Sequence, residues 1–392
     1  MIRQIIIFAF LSFSLNIMSQ SKNERSRVFY EDALTQYRSR DYTSALDDLQ
    51  GALNLQPNAE AYYLEGMIYE ALNQPLRALS AYEACVKLEE NYSEAIFQKA
   101  LIYLNHGDAN QALKDFNWLL SGQNRSYTRG VYFQLDESGN NQNQIMSLET
   151  MQSKLQYYRA QTLMKLEETD KAIVAYKVSL SIEAHPDYFI GLGLVYFKIR
   201  NNELAKINFE EAIKIDRLNE NGWYNLALLD PDIVIPDEVI ALSEGGSLAN
   251  LLASRAMEKE EYNRAIIYFD HIIKRNTKDA LSYINRGRAK SKLGLFEDAR
   301  RDFSDARKIA PRRAESLYLL GNCYFLEKNF SASLTFYDEY LALEPQNALI
   351  WYNAAMAHLE LDHNQEACAY LNRASKYGMV QANQWKNKYC ED

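Results

Sequence analysis

The chain is poor in the residues that interrupt regular structure. Its 392 residues include 15 Gly and 7 Pro, too few for the many turns of a β-sandwich or barrel, so a mostly helical fold is expected. That length exceeds one ordinary hydrophobic core and calls for several domains or a repeat array. Basic runs are missing: 43 Lys and Arg face 52 Asp and Glu, for a net charge of -9. A surface of that sign repels phosphates, and nucleic acid is not an expected partner. Past the N-terminus, no stretch is long and apolar enough to cross a bilayer.

Reactive constellations are also lacking. The five histidines, His106, His185, His271, His358 and His363, are scattered and form no motif of a known metal site, so neither a metal nor another cofactor is expected. The acidic stretch Asp230, Asp232, Asp237, Glu238 has no glycine or ligand spacing of a calcium loop and reads as solvated. No G-x-S-x-G, phosphate-cradling glycine loop or G-x-G-x-x-G occurs. An active site gathered from scattered residues is not excluded by missing motifs, which keeps one alternative open below.

What is abundant is tyrosine, 28 in all, and an excess of amphipathic rings needs core positions or an interface to hold it. The N-terminus reads MIRQIIIFAFLSFSLNIMSQ, with Arg3, an apolar run from Ile5 to Leu15 and the small Ser19. This is the shape of a signal peptide over residues 1–19, implying export to a periplasm or cell envelope. The rival is a retained anchor tethering a cytosolic scaffold; the apolar run is shorter than the ~20 residues a spanning helix needs.

A small residue recurs at Ala45, Ala78, Ala112, Ala172, Ala205, Ala265, Ala299, Ser333 and Ala367, with spacings of 33 or 34 except for two of 60. Four residues after each comes Leu49, Tyr82, Phe116, Tyr176, Phe209, Phe269, Phe303, Tyr337 or Leu371. Twelve before each lies Ala33, Gly66, Ala100, Ala160, Gly193, Ala253, Gly287, Gly321 or Ala355. Residues at i and i+4 share a helix face, so each period holds two helices, with a Gly or Ala on one making room for the bulky residue of the other. A hairpin this short cannot bury its apolar stripe alone and must stack on neighbours. Pro57, Pro311 and Pro345 fall where second helices end.

With Leu317, Leu320, Gly321, Tyr324, Ser333, Tyr337 and Pro345 filling the pattern W-x2-L-G-x2-Y, A-x3-F, P, the chain resembles the tetratricopeptide repeat family. The resemblance covers about 26–374 and implies an all-α solenoid, a right-handed superhelix of about nine units. The expected layout is array at 20–120, an insertion at 121–147, array at 148–229, an irregular insertion at 230–247, array at 248–377 and a capping helix in 378–392. In the first insertion Val131, Phe133 and Leu135 alternate before a Ser-Gly-Asn-Asn turn signal, which reads as a β-hairpin or else a polar loop. After Gly222–Leu229, which looks like the first helix of a further unit, Asp230-Pro231 ends the helix and a shortened partner follows.

In this family a stripe of each first helix lines a concave groove where peptides lie. The matching positions here are Tyr30, Tyr63, Phe97, Tyr157, Ile190, Tyr224, Ile284, Tyr318 and Tyr352, and one turn on Leu34, Met67, Leu101, Gln161, Leu194, Leu228, Arg288, Asn322 and Met356. That aromatic lining suits an extended segment or protein surface held by aromatic anchors. The expected function is a non-catalytic protein-binding scaffold; the alternative is an enzyme or ligand-binding protein whose pocket an insertion completes.

Cys85 and Cys323 sit inside helices as small core residues. Cys368 and Cys390 lie 10 residues before and 12 after Gly378, which separates the last helix of the array from a terminal helix. In an antiparallel pair rising ~1.5 Å per residue their heights match to within about a turn, so a disulfide is expected in an oxidising compartment.

Overall fold

The structure, a computed structural model, describes residues 22–121, 131–135, 141–145, 148–243 and 246–390. The segment expected to direct export, 1–19, lies outside them. The chain forms two compact units, divided between Asp216 and Arg217.

The first unit is a stack of helical hairpins: α1 (22–38) with α2 (Tyr42–Leu55), α3 (Ala59–Ala71) with α4 (Pro75–Leu88), and α5 (Ser93–His106) with α6 (Ala109–Leu120). Then come α7 (Leu148–Lys165) with α8 (Thr169–Ile182) and α9 (Pro186–Lys198) with α10 (Asn202–Ile215). The second unit opens with α11 (Glu220–Leu229) and the six-residue α12 (Asp237–Leu242). It continues with α13 (Ser247–Glu258), α14 (Tyr262–Arg275), α15 (Ala280–Lys292), α16 (Phe296–Ile309), α17 (Glu315–Leu326), α18 (Phe330–Leu343), α19 (Ala348–Glu360), α20 (Asn364–Lys376) and α21 (Gln381–Tyr389).

The small-and-large register builds the seam inside each hairpin. Ala45, Ala78, Ala112, Ala172 and Ala205 in the first unit, and Ala265, Ala299, Ser333 and Ala367 in the second, are fully buried. Their partners four residues on are all at most 3% exposed. The reason for a bare backbone opposite the ring is steric: a Cβ on Gly66 would stand 2.3 Å from the Tyr82 ring, and one on Gly321 would stand 2.5 Å from Tyr337. Crossing helices at such close approach gain dispersion contacts that a larger side chain would forbid.

Caps and turns set the helix lengths. Side chains of Asp41, Asn58, Asp108, Asn201, Asn329 and Asn347 accept hydrogen bonds from the free N–H groups at the starts of the helices that follow. Five residues before the small residue of each second helix the backbone turns left-handed, at Arg40, Asn73, Gly107, Glu167, Arg200, Glu260, Gly294, Lys328 and Asp362. One left-handed residue reverses the chain between the two helices, and only Gly107 and Gly294 adopt it without a steric penalty.

The described residues of both insertions include regular structure. In the first, β1 (Val131–Leu135) pairs antiparallel with β2 (Asn141–Ile145), from Val131 opposite Ile145 to Leu135 opposite Asn141. The second is less irregular than its sequence suggests. Val239 and Ile240 of α12 are buried at 1% and 4% exposure, and with Ile235 they join a core made with α13 and α14. Physically, α11 covers its apolar face chiefly against α13, while the short α12 lies against α14. At the end of the chain α21 packs on α20 through the fully buried Ala382, and Cys368 is joined to Cys390 with an S–S distance of 2.04 Å. Cys85 and Cys323 are free and buried.

Candidate functional site

The first register of the stripe expected to line a groove divides in two by residue type. Phe97 is 4% exposed, Ile190 7%, Ile284 0% and, one turn on, Met67 9%. These four are core, which corrects their expected place on the binding face. Phe97 shows how: its ring meets Phe116 at 6.3 Å and Tyr158 at 5.8 Å between centroids, closed in by α6 and α7. Tyr30, Tyr63, Tyr157, Tyr224, Tyr318 and Tyr352 are instead all half-buried. A phenol lays its ring against a neighbour while its hydroxyl seeks water or a partner, whereas Phe and Ile have no polar atom to keep them at the surface.

In the first unit the tyrosines are braced by other rings. Tyr63 lies 5.7 Å from Tyr82 and 5.2 Å from Tyr92; Tyr157 lies 6.0 Å from Tyr176 and 4.9 Å from Tyr188. Burial raises the phenol pKa of both, with neighbouring tyrosines and carboxylates adding to it. Tyr30 is raised in the same way, by burial and then by Glu60. Around them Leu34 and Leu101 are half-buried, and Leu194 is 44% exposed.

In the second unit the face is more polar. Tyr318 meets Tyr340 edge-on at 5.4 Å, and Arg288 Nη2 donates to the Tyr318 hydroxyl at 3.2 Å while pairing with Glu315 at 2.5 Å. A shallow cavity of about 440 Å³ opens beside Tyr318, walled by Tyr340, Glu344 and Asn347. Asn322 accepts from the Tyr337 hydroxyl at 2.7 Å, and Tyr352 and Met356 pack half-buried on the core of α17 to α20. Tyr224 packs likewise on the core around α13 and α14, with Leu228 38% exposed.

The bracing residues Tyr92, Tyr188, Tyr340 and Glu315 were not found from the sequence. Tyr92, Tyr188 and Tyr340 follow their groove tyrosines at unequal separations and Glu315 precedes its own, so no periodic signal marks them. Chemistry beyond contact is not concentrated here: among the described residues no three His, Cys, Asp or Glu side chains gather as metal ligands. No described helix is long and apolar enough to cross a membrane.

Comparison with known proteins gives the same architecture. One tetratricopeptide repeat model matches residues 284–348 and a second matches 59–92, 186–217 and 348–377. A TPR repeat-containing protein of Methanocaldococcus jannaschii is 23% identical over 83% of this chain and 71% of its own length. The Hsp70-Hsp90 organizing protein 1 of Glycine max is 30% identical over 24% of this chain and 18% of its own. The DnaJ homolog subfamily C member 3 of Gallus gallus is 20% identical over 79% and 58%. The chain thus spans less than two thirds of the last two. Among solved structures, MamA matches at 19% identity over 50% of this chain and 94% of its own with a TM-score of 0.34. Yeast Tom70 matches at 14% identity over 94% and 96% with a TM-score of 0.30. Two tetratricopeptide repeat models thus match four segments of the chain, and the same small-over-large hairpin repeats between them, so the chain is similar to that family in fold and in repeat pattern.

Proposed function

We propose that the chain is a non-catalytic scaffold that holds a protein or an extended peptide on the tyrosine-bearing faces of its first helices. The observation that carries this is the sorting just described: at one register the purely apolar residues are buried and every tyrosine is half-buried. Rigid rings with a polar tip give large contact area at small entropic cost, and such residues dominate binding energy at interfaces. Tyr318 and Tyr352, on successive first helices of the second unit, are the pair to test. With the protein that cross-links to the intact chain as probe, Tyr318→Ala and Tyr352→Ala should each weaken binding by about 2 kcal/mol. Their melting temperature should stay near that of the wild type. Full-strength binding by both variants would move the site elsewhere.

The setting proposed is the cell envelope, on the strength of Arg3, the apolar run Ile5–Leu15 and Ser19. Mass spectrometry of the protein from its source should find a mature N-terminus near Gln20. An intact Met1 form in the membrane fraction would favour a retained anchor instead.

A further inference from the structure

The loop that follows α11 walls a cavity against α13 and α14. Pro231, Asp232, Ile233 and Val234 form one wall, and Leu252, Arg255, Ala256, Lys259, Glu261, Arg264 and Tyr268 form the others. Its free volume is about 160 Å³. That is close to the roughly 150 Å³ of an apolar cavity that takes up benzene, a molecule of six non-hydrogen atoms.

The charges around it do not balance. Lys259 is paired with Asp232, and Arg264 Nη1 is paired with Glu261 at 2.8 Å while its Nη2 reaches the Tyr268 hydroxyl at 3.4 Å. The third cation, Arg255, shares the field of the Asp232 carboxylate that Lys259 holds, and its Nη1 is buried with no hydrogen-bond partner among the described residues. A buried donor left unpaired is costly, more so when charged. The group that best relieves a planar guanidinium is a planar oxyanion taking two parallel N–H bonds. Leu252, Ala256 and Ile233 supply apolar wall beside it, which a bare inorganic anion would leave unused.

We infer that this cavity binds a carboxylate on a short apolar stem. Arg255 holds the carboxylate, and Leu252, Ala256 and Ile233 hold the stem. Three carboxylate atoms and about three carbons fill the space that benzene would fill. The ligand is either a free short-chain acid or the carboxylate end of a chain whose remainder passes out of the mouth beside Val234, itself 81% exposed.

Ligand-observed NMR on the intact chain tests this with butyrate, N-acetylvaline, methyl butyrate and inorganic phosphate. Saturable binding of butyrate identifies a free acid, and binding of N-acetylvaline alone identifies a chain end. In either case methyl butyrate and phosphate should bind at least about tenfold more weakly. Arg255→Met should lose at least about tenfold in affinity. Asp232→Asn, which removes a competing carboxylate and frees Lys259, should tighten binding about two- to threefold. Absence of saturation by both acids overturns the inference, as does equal binding of methyl butyrate or phosphate, or wild-type affinity in Arg255→Met. If Arg255→Met no longer gives the wild-type helical melt, Asp232→Asn decides alone, and failure to tighten refutes the site.

Discussion

Replacing Tyr337 separates packing from hydrogen bonding in a single seam. The side chain is 1% exposed, stands over the bare backbone of Gly321 and donates to Asn322 Oδ1 at 2.7 Å. A buried tyrosine removes about 200 Å² from water, and at about 25 cal/mol per Å² that burial stabilises by about 5 kcal/mol. Alanine keeps Cβ, and the seam collapses partly, so Tyr337→Ala should cost about 3–5 kcal/mol. Phenylalanine keeps the ring and loses only the hydrogen bond. Tyr337→Phe should therefore cost about 1 kcal/mol, the worth of one such bond with Asn322 still able to turn to another donor. Urea unfolding followed by far-ultraviolet circular dichroism measures both. Because the hairpins stack as near-neighbour pieces, the loss should appear in the transition that melts α17 to α20, leaving the first unit's transition in place. If Tyr337→Ala costs less than about 1 kcal/mol, or Tyr337→Phe costs as much as alanine, the close-packed seam is not what holds the hairpin.

Reduction of Cys368–Cys390, a 22-residue separation, should lower stability by about 3 kcal/mol and expose α21 to trypsin first; a reduced chain cleaved no faster at Lys386 or Lys388 would contradict this. Lys328 holds a left-handed backbone at φ 61°, so Lys328→Gly should stabilise by up to about 1 kcal/mol, whereas a lower melting temperature would show that its side chain compensates the strain. His358 has both ring nitrogens buried and without a hydrogen-bond partner among the described residues, and burial lowers its pKa below the ordinary 6.5 against the opposing pull of Asp338 and Glu366. Its folded pKa lies under its unfolded one, so its contribution is present above about pH 6.5 and is lost as pH falls through the lowered folded value. The wild type should accordingly lose more stability than His358→Gln on going from about pH 7.5 to about pH 5.5, and equal losses would remove His358 from the account.

The repeat itself was legible in the sequence because it is written locally. Small and large residues four apart fix which helix face is buried, as Ala78 with Tyr82 and Ser333 with Tyr337 show. The twelve-residue step back to Gly66 or Gly321 then locates the partner helix. The alternation of Val131, Phe133 and Leu135 falls on the strand β1 for the same reason, since a period of two needs no distant information. What the sequence could not show depends on neighbours far along the chain. Left-handed turns at Arg40, Glu167 or Lys328 carry no glycine to announce them and are imposed by the packing of the two helices they join. The burial of Phe97, Ile190 and Ile284, against the half-exposure of tyrosines at the same register, is decided by what the adjacent helices present. The setting of Arg255 depends on tertiary structure: Glu261 and Arg264 pair locally within one turn, but only when the loop after α11 folds onto α13 and α14 does Asp232 engage Lys259, with one buried Arg255 nitrogen left without an acceptor among the described residues.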